Sequence, residues 1–223
     1  MKEKLTDHLI QYVEGFITDE RRERFKHILA QRTNHFTVVT EDVYQHHNAA
    51  AVVRSCDVFG VQALHLVEEI YKNRIDTKIA LGAQKWVTLE KHNKVGECMV
   101  KLRAKGYSIV ATTPHHDAQY VSDFDITKPA AFFFGTEKEG LSDIVMEEAD
   151  EYLKIPMVGF TESLNISVAA AIILEQLTTR LRKSDLNWQI PADQQRVIYF
   201  QWIKNTIKSI DQILERYEGE NES

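Results

Sequence analysis

Residues 130–134, AAFFF, form an unbroken apolar run between Pro129 and Gly135. A strand inside a parallel sheet is covered on both faces, so consecutive positions along it are apolar, whereas a half-exposed strand alternates between apolar and polar residues. The run therefore predicts a buried strand in the middle of a mostly parallel sheet.

The segments on both sides of this run alternate between strand patterns and helix patterns. Strands rich in β-branched or apolar residues are predicted at Phe36–Val43, Gln62–Val67, Trp86–Leu89, Ser108–Thr112 and Tyr152–Ile155. Helices are predicted at Asn48–Val58, Lys94–Lys105, Leu141–Ala149 and Ser167–Arg182. This alternation is typical of an α/β domain with helices on both faces of the sheet. The ligand crevice of such a domain lies beyond the carboxyl ends of the strands, here near Asn48, Thr112, Gly135 and Met157.

Both ends of the chain lie outside this alternation and are predicted to be helical. The first 32 residues have helical spacing, and Thr18-Asp19-Glu20 resembles a helix start. After a turn at Asn187–Pro191, one amphipathic helix is predicted over Ala192–Tyr217. We therefore expect three parts, namely an N-terminal helical extension at 1–35, the α/β domain at 36–183 and a C-terminal helical extension at 184–223.

The composition excludes several classes of protein. Hydrophobic residues make up 43% and charged residues 27% of the 223 residues, which is ordinary for a globular protein. Two cysteines, Cys56 and Cys98, are too few for a disulfide framework and lack metal-ligand spacing. No apolar run approaches the roughly 20 residues of a membrane span, and no signal-peptide pattern is present. We therefore expect a cytoplasmic protein without a membrane segment.

The net charge of −6 argues mildly against a nucleic-acid binder, but the charges are unevenly distributed. Residues 21–32, RRERFKHILAQR, are strongly basic, whereas acidic residues predominate from Asp211 onward. A basic face can therefore coexist with an acidic tail.

Gly135 and Gly140 enclose a loop, GTEKEG, directly after the predicted buried strand. Two glycines with four residues between them resemble a phosphate-binding P-loop. However, Leu141 and Ser142 follow where such a loop requires Lys and then Ser or Thr. A tight turn between strand and helix explains the loop equally well.

Polar residues stand at the expected starts of two helices. Asn48, Ser163 and Asn165 are good N-cap residues, and helix capping accounts for them without any further function. Arg54 then lies on the first of these helices among Val52, Val53 and Val58. We expect it to be buried or half-buried, which requires an anionic partner such as a carboxylate or a ligand phosphate.

Histidine pairs at 46–47 and 115–116 do not predict a metal site. Adjacent residues of an extended segment point in opposite directions, and no further Cys or His stands at a supporting spacing. We therefore predict that the protein has no metal ion.

Three segments together resemble the motifs of one enzyme family. Asn48-x-x-Ala51-x-x-Arg54 resembles motif 1 of the SpoU (TrmH-like) branch of the SPOUT methyltransferases. The segment 134–142, FGTEKEGLS, resembles motif 2, and IPM at 155–157 followed by SLNISVA at 163–169 resembles motif 3. The order and spacing of the segments also agree with the family.

The resemblance implies a SPOUT-type α/β fold with a C-terminal trefoil knot, and a homodimer formed through the knot region. Members of the family use S-adenosyl-L-methionine (SAM), bent within the knot and held largely by backbone groups of the loops. The positions that this implies for cofactor binding are Thr112, Gly135, Glu137, Gly140, Ile155, Met157, Leu164 and Ile166.

The implied reaction is transfer of the SAM methyl group to a ribose 2′-hydroxyl of RNA, which must lose its proton as it attacks. The family assigns the central role to the arginine that matches Arg54, either activating or positioning this hydroxyl. Because a guanidinium is effectively always protonated, phosphate binding and orientation are physically better supported as the role of Arg54 than activation of the hydroxyl as a base. The implied catalytic residues are Arg54, Asn48, Ser163 and Asn165.

The helical extensions resemble those of the tRNA (guanosine-2′-O)-methyltransferases that act on the D-loop guanosine at tRNA position 18. Too few residues precede Phe36 for the separate RNA-binding domain that ribosomal-RNA members usually carry. We therefore expect tRNA as the partner, while ribosomal RNA, another tRNA site and a non-catalytic RNA-binding module stay open. Salt-dependent RNA contacts are expected from Arg21, Arg22, Arg24, Arg32, His47, Arg180 and Arg182.

Overall fold

A computed structural model describes residues 5–43, 45–70, 82–114, 117–136 and 138–221. The chain divides into two compact units. The sheet unit is Thr33–Trp188, and the terminal unit combines Met1–Arg32 with Gln189–Ser223. The two helical extensions thus belong to one unit, while the three-part division of the chain stays a prediction.

The sheet unit is built on seven described strands that all pair in parallel, in the order β3-β2-β1-β6-β4-β7-β5. This confirms the predicted parallel α/β architecture, with β6 in the centre. The strands are β1 (Phe36–Glu41), β2 (Ala63–Val67), β3 (Thr88–His92), β4 (Ser108–Thr112), β5 (Gln119–Tyr120), β6 (Ala130–Phe134) and β7 (Glu151–Lys154).

Four helices of the sheet unit cover both faces of the sheet. They are α3 (His46–Phe59), α4 (Val95–Ala104), α5 (Asp143–Glu148) and α6 (Ile166–Arg182). Successive residues of β6 point to opposite faces. Phe132 belongs to the core on the side of α3 and α6, whereas Phe133 belongs to the core on the side of α4 and α5. The AAFFF run is therefore apolar because every one of its residues is buried.

Two predicted elements have different bounds in the structure, and one strand was not predicted. Helix α3 begins at His46 rather than Asn48, so the histidine pair is helical and not extended. The strand predicted at Trp86–Leu89 lies at Thr88–His92, after a 3₁₀ turn at Ala83–Lys85 that ends at Trp86. The short edge strand β5 was not predicted, since two residues show no periodicity.

The terminal unit contains α1 (Asp7–Glu14), α2 (Asp19–Leu29), α7 (Ala192–Thr206) and α8 (Ile210–Asn221). Thr18 caps α2 by accepting a hydrogen bond from Arg21 N, which confirms the predicted helix start. The single helix predicted after Pro191 is wrong, because Ile207 is extended and separates α7 from α8. Neither Gly nor Pro marks this break, so the sequence did not reveal it.

Arg32 lies in the core of the terminal unit and not on its surface. Its side chain is 2% exposed, and its guanidinium carbon stands 5.4 Å above the Trp202 ring. Phe25 contacts the same ring from another side, with ring centroids 5.7 Å apart. The burial of Arg32 therefore contradicts the prediction that it contacts RNA. None of the described helices combines the length and the apolar composition that a membrane span requires.

Candidate active site

A cavity of about 510 Å³ lies beyond the carboxyl ends of three neighbouring strands, β6, β4 and β7. Its walls come from the loop after β4 (112–114), the loop after β6 (135–141) and the loop after β7 (155–164), with α6 behind them. The position agrees with the rule for parallel sheets, and the volume is that of a small-molecule site. The cavity is therefore the candidate cofactor site.

Most residues predicted to bind a cofactor line this cavity. They are Thr112, Gly135, Gly140, Ile155, Met157, Leu164 and Ile166. Glu137, the eighth, lies outside the described residues. Ser163, predicted to be catalytic, also lines the cavity and is exposed. The structure thus gathers residues from separate parts of the sequence around one space.

The loop after β6 closes on itself through its backbone. Thr136 N donates to Gly140 O over 2.8 Å, and Gly140 N donates to Thr136 O over 3.0 Å. A Cβ atom on Gly135 would lie 2.0 Å from the Gly140 carbonyl oxygen, so only glycine permits this closure. Gly140 itself has a positive φ of 73°, which glycine adopts without strain. The loop is therefore a closed backbone wall of the cavity and not a P-loop.

Glu41 anchors the far end of this loop, and the sequence analysis missed it. Its carboxylate accepts hydrogen bonds from Ser142 N over 2.9 Å and from Ser142 Oγ over 2.6 Å. Burial raises the pKa of Glu41, and the two bonds from Ser142 oppose that rise. An acidic residue at the end of a strand pattern rich in β-branched residues, FTVVTE, was the signal that could have revealed it.

Asn48 and Asn165 join the first and third motifs, although 117 positions separate them. Asn165 Nδ2 donates to Asn48 Oδ1 over 3.2 Å. Asn165 also caps α6, where its Oδ1 accepts from Ser167 N over 2.9 Å, as predicted. The prediction that Asn48 caps α3 is wrong, since Gln45 occupies the N-cap position. Asn48 is buried instead, and its Nδ2 donates to Gln45 Oε1 over 3.3 Å.

Replacing Asn165 separates its two roles. We expect Asn165→Ala to lower the free energy of unfolding by about 1 kcal/mol through loss of the cap. Asn165→Asp keeps an acceptor for Ser167 N, so it should retain most of the stability, although it cannot donate a hydrogen bond to Asn48. Urea unfolding of both variants, with the exposed Asn187→Ala as control, measures the difference. An alanine variant as stable as the aspartate variant would contradict the capping role.

Arg54 lies on the solvent-facing side of α3, which corrects the expectation that it is buried. Ala49, Val52, Val53 and Cys56 form the buried side of this helix. Arg54 lies toward the same exposed side as Val58, which is 74% exposed. Six residues advance an α-helix by about 9 Å and 240°, so Arg54 and Asn48 occupy different sides of α3. Within the described residues, Arg54 forms no hydrogen bond or ion pair.

The remaining arginines predicted to bind RNA have different surroundings. Arg21 and Arg24 are exposed on α2, while Arg22 pairs with Asp19 at 2.5 Å. Arg180 is half-buried and donates to the carbonyls of Val121 and Phe124 over 2.9 and 2.6 Å.

Arg180 therefore holds a loop of the sheet unit in place, and its predicted role as an RNA contact is not supported by these bonds. Arg182 is exposed and donates to Phe59 O over 2.6 Å. His47 is exposed in the first turn of α3.

Comparison with known proteins places these features in one family. Residues 35–175 match the SpoU rRNA Methylase family. The chain is 37% identical over 194 residues to a tRNA (guanosine(18)-2′-O)-methyltransferase of Borreliella burgdorferi, covering 87% of this chain and 89% of that protein.

Two solved structures are also similar. One is the TrmH/SpoU tRNA modifying enzyme of A. aeolicus, with a TM-score of 0.75, 30% identity and coverage of 85% of this chain and 98% of that one. The other is the SpoU methyltransferase AviRb of Streptomyces viridochromogenes in complex with the cofactor AdoMet. Its TM-score is 0.63 at 26% identity, and the match covers 70% of this chain and 64% of that one.

Proposed function

The chain belongs to the SpoU methylase family, and from this premise we propose that it methylates the 2′-hydroxyl of guanosine 18 in tRNA with SAM as the methyl donor. The observation that carries the proposal is the cavity at the ends of β4, β6 and β7, lined by the residues of the second and third motifs. The similarity to a tRNA enzyme over nearly the whole of both chains supports tRNA as the substrate.

The cavity suits a ligand that has both apolar and polar parts. Leu141, Met146 and Ile173 provide apolar surface, and Thr112 and Thr136 provide hydroxyl groups. Gly135 has no side chain, so it leaves backbone atoms of the closed loop from Gly135 to Gly140 uncovered. When bound, SAM supplies an electrophilic methyl group on its sulfonium. We assign its binding to the seven lining residues predicted from the sequence, together with Glu137.

Arg54 would act on the RNA and not on the cofactor. It is exposed and does not line the cavity, and its charge is unpaired among the described residues. A planar guanidinium with five N–H donors matches the oxygens of a phosphate. We assign Arg54 to a phosphate next to the target ribose, which holds the 2′-hydroxyl in place for attack.

Ser163, Asn165 and Asn48 would organise the space between RNA and cofactor. Ser163 stands at the exposed rim of the cavity, where its hydroxyl can donate to or accept from the ribose. Asn165 is two residues further along and is held by Asn48. Asn48 is buried, so it acts by positioning Asn165 and not by contacting RNA.

Phosphates elsewhere on the tRNA would be bound by the exposed cations on each unit. On the terminal unit these are Arg21 and Arg24 on α2, whereas Arg22 is half-buried and paired with Asp19. On the sheet unit we assign the cation Arg182, and we assign the exposed His47 as a hydrogen-bonding contact. Arg180 is not assigned, because its guanidinium donates to two carbonyls. Binding should weaken steeply as salt concentration rises, since each neutralised phosphate releases counterions.

We also propose that the segment after β7 forms the trefoil knot and that two chains associate through it. This segment exposes Val158 and Phe160 almost completely, and Leu164 and Val168 are 37% and 45% exposed. Large apolar side chains exposed in one segment are the feature that favours an interaction site here. A monomeric mass in sedimentation equilibrium would contradict the dimer.

Two free, buried cysteines support a cytoplasmic location.

The proposed function is tested by incubating the purified protein with labelled SAM and either unmodified bulk tRNA or ribosomal RNA, followed by mapping of the labelled nucleotide. We expect label on the ribose of guanosine 18. Label in ribosomal RNA alone, or at another tRNA position, would overturn the substrate assignment. SAM binding without label in any RNA would favour a non-catalytic RNA-binding module.

A further inference from the structure

Four side chains with metal-binding chemistry meet on the α4 face of the sheet, away from the cavity. His65 on β2 stands directly opposite Glu90 on the neighbouring edge strand β3. His92 follows two positions after Glu90 and so points to the same face. Cys98 reaches the cluster from α4. The residues that line the cavity include none of these four.

The cluster is compact and buried. His65 Nδ1 lies 3.0 Å from His92 Nε2. One ligand atom each of His65, His92 and Cys98 lie within 4.8 Å of one another. The three residues are 3%, 5% and 0% exposed, and His92 Nδ1 is buried without a hydrogen-bond partner. Glu90 Oε2 stands 3.7 Å from His65 Nδ1 and is the part of the cluster nearest to solvent.

The protonation states of these groups leave lone pairs available. Burial lowers the pKa of His65 to about 4 and also lowers the pKa of His92, so both imidazoles are neutral near pH 7. Burial raises the pKa of the Cys98 thiol to about 12. Such a thiol loses its proton only when a cation replaces it, as metal coordination does.

We propose that His65, His92, Cys98 and Glu90 bind one Zn²⁺ ion between β2, β3 and α4. Imidazole nitrogen, thiolate sulfur and carboxylate oxygen are the ligands that Zn²⁺ takes in proteins. Ligands at Zn²⁺ bond lengths of 2.0–2.3 Å lie roughly 3.3–3.8 Å apart in a tetrahedron. Among His65, His92 and Cys98 the observed separations therefore require a contraction of roughly 1 Å in the longest pair. The Glu90 carboxylate, 3.7 Å from His65 Nδ1, would also have to move toward the other two ligands.

The proposal departs from the expectation that the protein has no metal ion. Its ligands come from two strands and a helix, so the sequence lacks the short Cys and His spacings of common zinc motifs. The ion would tie the edge strand β3 to β2 and α4, which is a structural role. Lys105 Nζ, now 3.2 Å from Glu90, would have to release that carboxylate, and Lys101 adds a second nearby positive charge.

The proposal is tested by titrating the metal-free, full-length protein with Zn²⁺ against a chromophoric chelator and with Co²⁺ by absorbance. We expect one ion per chain and a Co²⁺ spectrum with a thiolate charge-transfer band. Cys98→Ser should abolish that band, whereas Cys56→Ser, the equally buried cysteine on the opposite face, should keep it. His92→Gln should weaken Zn²⁺ binding by roughly tenfold or more. Removal of a residue that only hydrogen-bonds a metal ligand already lowers metal affinity by at least about tenfold.

Two further measurements keep the test decisive if a variant folds poorly. Added Zn²⁺ should raise the melting temperature of the wild type and of Cys56→Ser, because an ion that binds only the folded state stabilises it. Glu90→Gln, which leaves the core intact, should lower the affinity for Zn²⁺. No saturable Zn²⁺ binding, or equal binding by the wild type and Cys98→Ser, would overturn the proposal and leave a hydrogen-bonded histidine pair.

Discussion

Replacing Arg54 by alanine is expected to lower methyl transfer to tRNA by roughly 10²–10³-fold, the loss typical of one positioned electrostatic group. SAM affinity should stay unchanged, because Arg54 is exposed and does not line the cavity. Transfer under single-turnover conditions and SAM binding by calorimetry measure the two effects separately. Arg54→Lys should retain intermediate activity, since lysine keeps the charge but not the planar fork.

The matched control is Arg216→Ala, which removes an equally exposed arginine from α8 of the terminal unit. Its transfer rate should stay within about twofold of the wild type, as for a surface substitution that costs less than 0.5 kcal/mol. Parallel losses of transfer and SAM affinity in Arg54→Ala would show that Arg54 supports the fold or the cofactor site instead of the RNA.

Replacing Gly135 by alanine is expected to weaken SAM binding by roughly 30-fold or more. The new Cβ atom would lie 2.0 Å from Gly140 O and 2.3 Å from Leu141 N, which are backbone atoms that cannot rotate away. The loop must open, and the two hydrogen bonds between Thr136 and Gly140 are lost. Each of these hydrogen bonds is worth about 1 kcal/mol. Since about 1.4 kcal/mol corresponds to a tenfold change in affinity, the loss of both bonds accounts for the expected decrease in SAM affinity.

Two glycine variants serve as comparisons for Gly135→Ala. Gly96→Ala on α4 meets nothing within 4 Å and should bind SAM like the wild type. Gly140→Ala also meets open space, but its φ of 73° is strained for alanine, so a smaller loss is expected. Equilibrium dialysis with labelled SAM ranks the three variants. Wild-type affinity in Gly135→Ala would contradict the closed loop as a wall of the cofactor site.

Local sequence patterns predicted the parallel sheet and the strand-end loops where the cavity lies. AAFFF predicted the central strand because each of its side chains is covered by a helix on one face or the other. Asn165 was predicted as a cap because the unpaired N–H groups of a helix start favour such a residue. Glycine spacing after β6 predicted a tight turn, and the rule for strand ends placed that turn at the ligand crevice.

Contacts between distant segments could not be read from those patterns. Glu41 with Ser142, and Asn48 with Asn165, are separated by 101 and 117 positions. Their pairing depends on which strands become neighbours in the sheet. The cluster of His65, His92 and Cys98 arises in the same way, from two paired strands and the helix that covers them.

The strand and helix pattern, the parallel sheet and each resembling motif depend on residues close together in the chain, so local sequence was sufficient to predict them. Which arginines are available to a partner depends instead on contacts between distant segments. Arg32 was expected at the surface and is buried against Trp202, whereas Arg54 was expected to be buried and is exposed. The physical reason is that burial of a helical side chain depends on which side of its helix other elements cover.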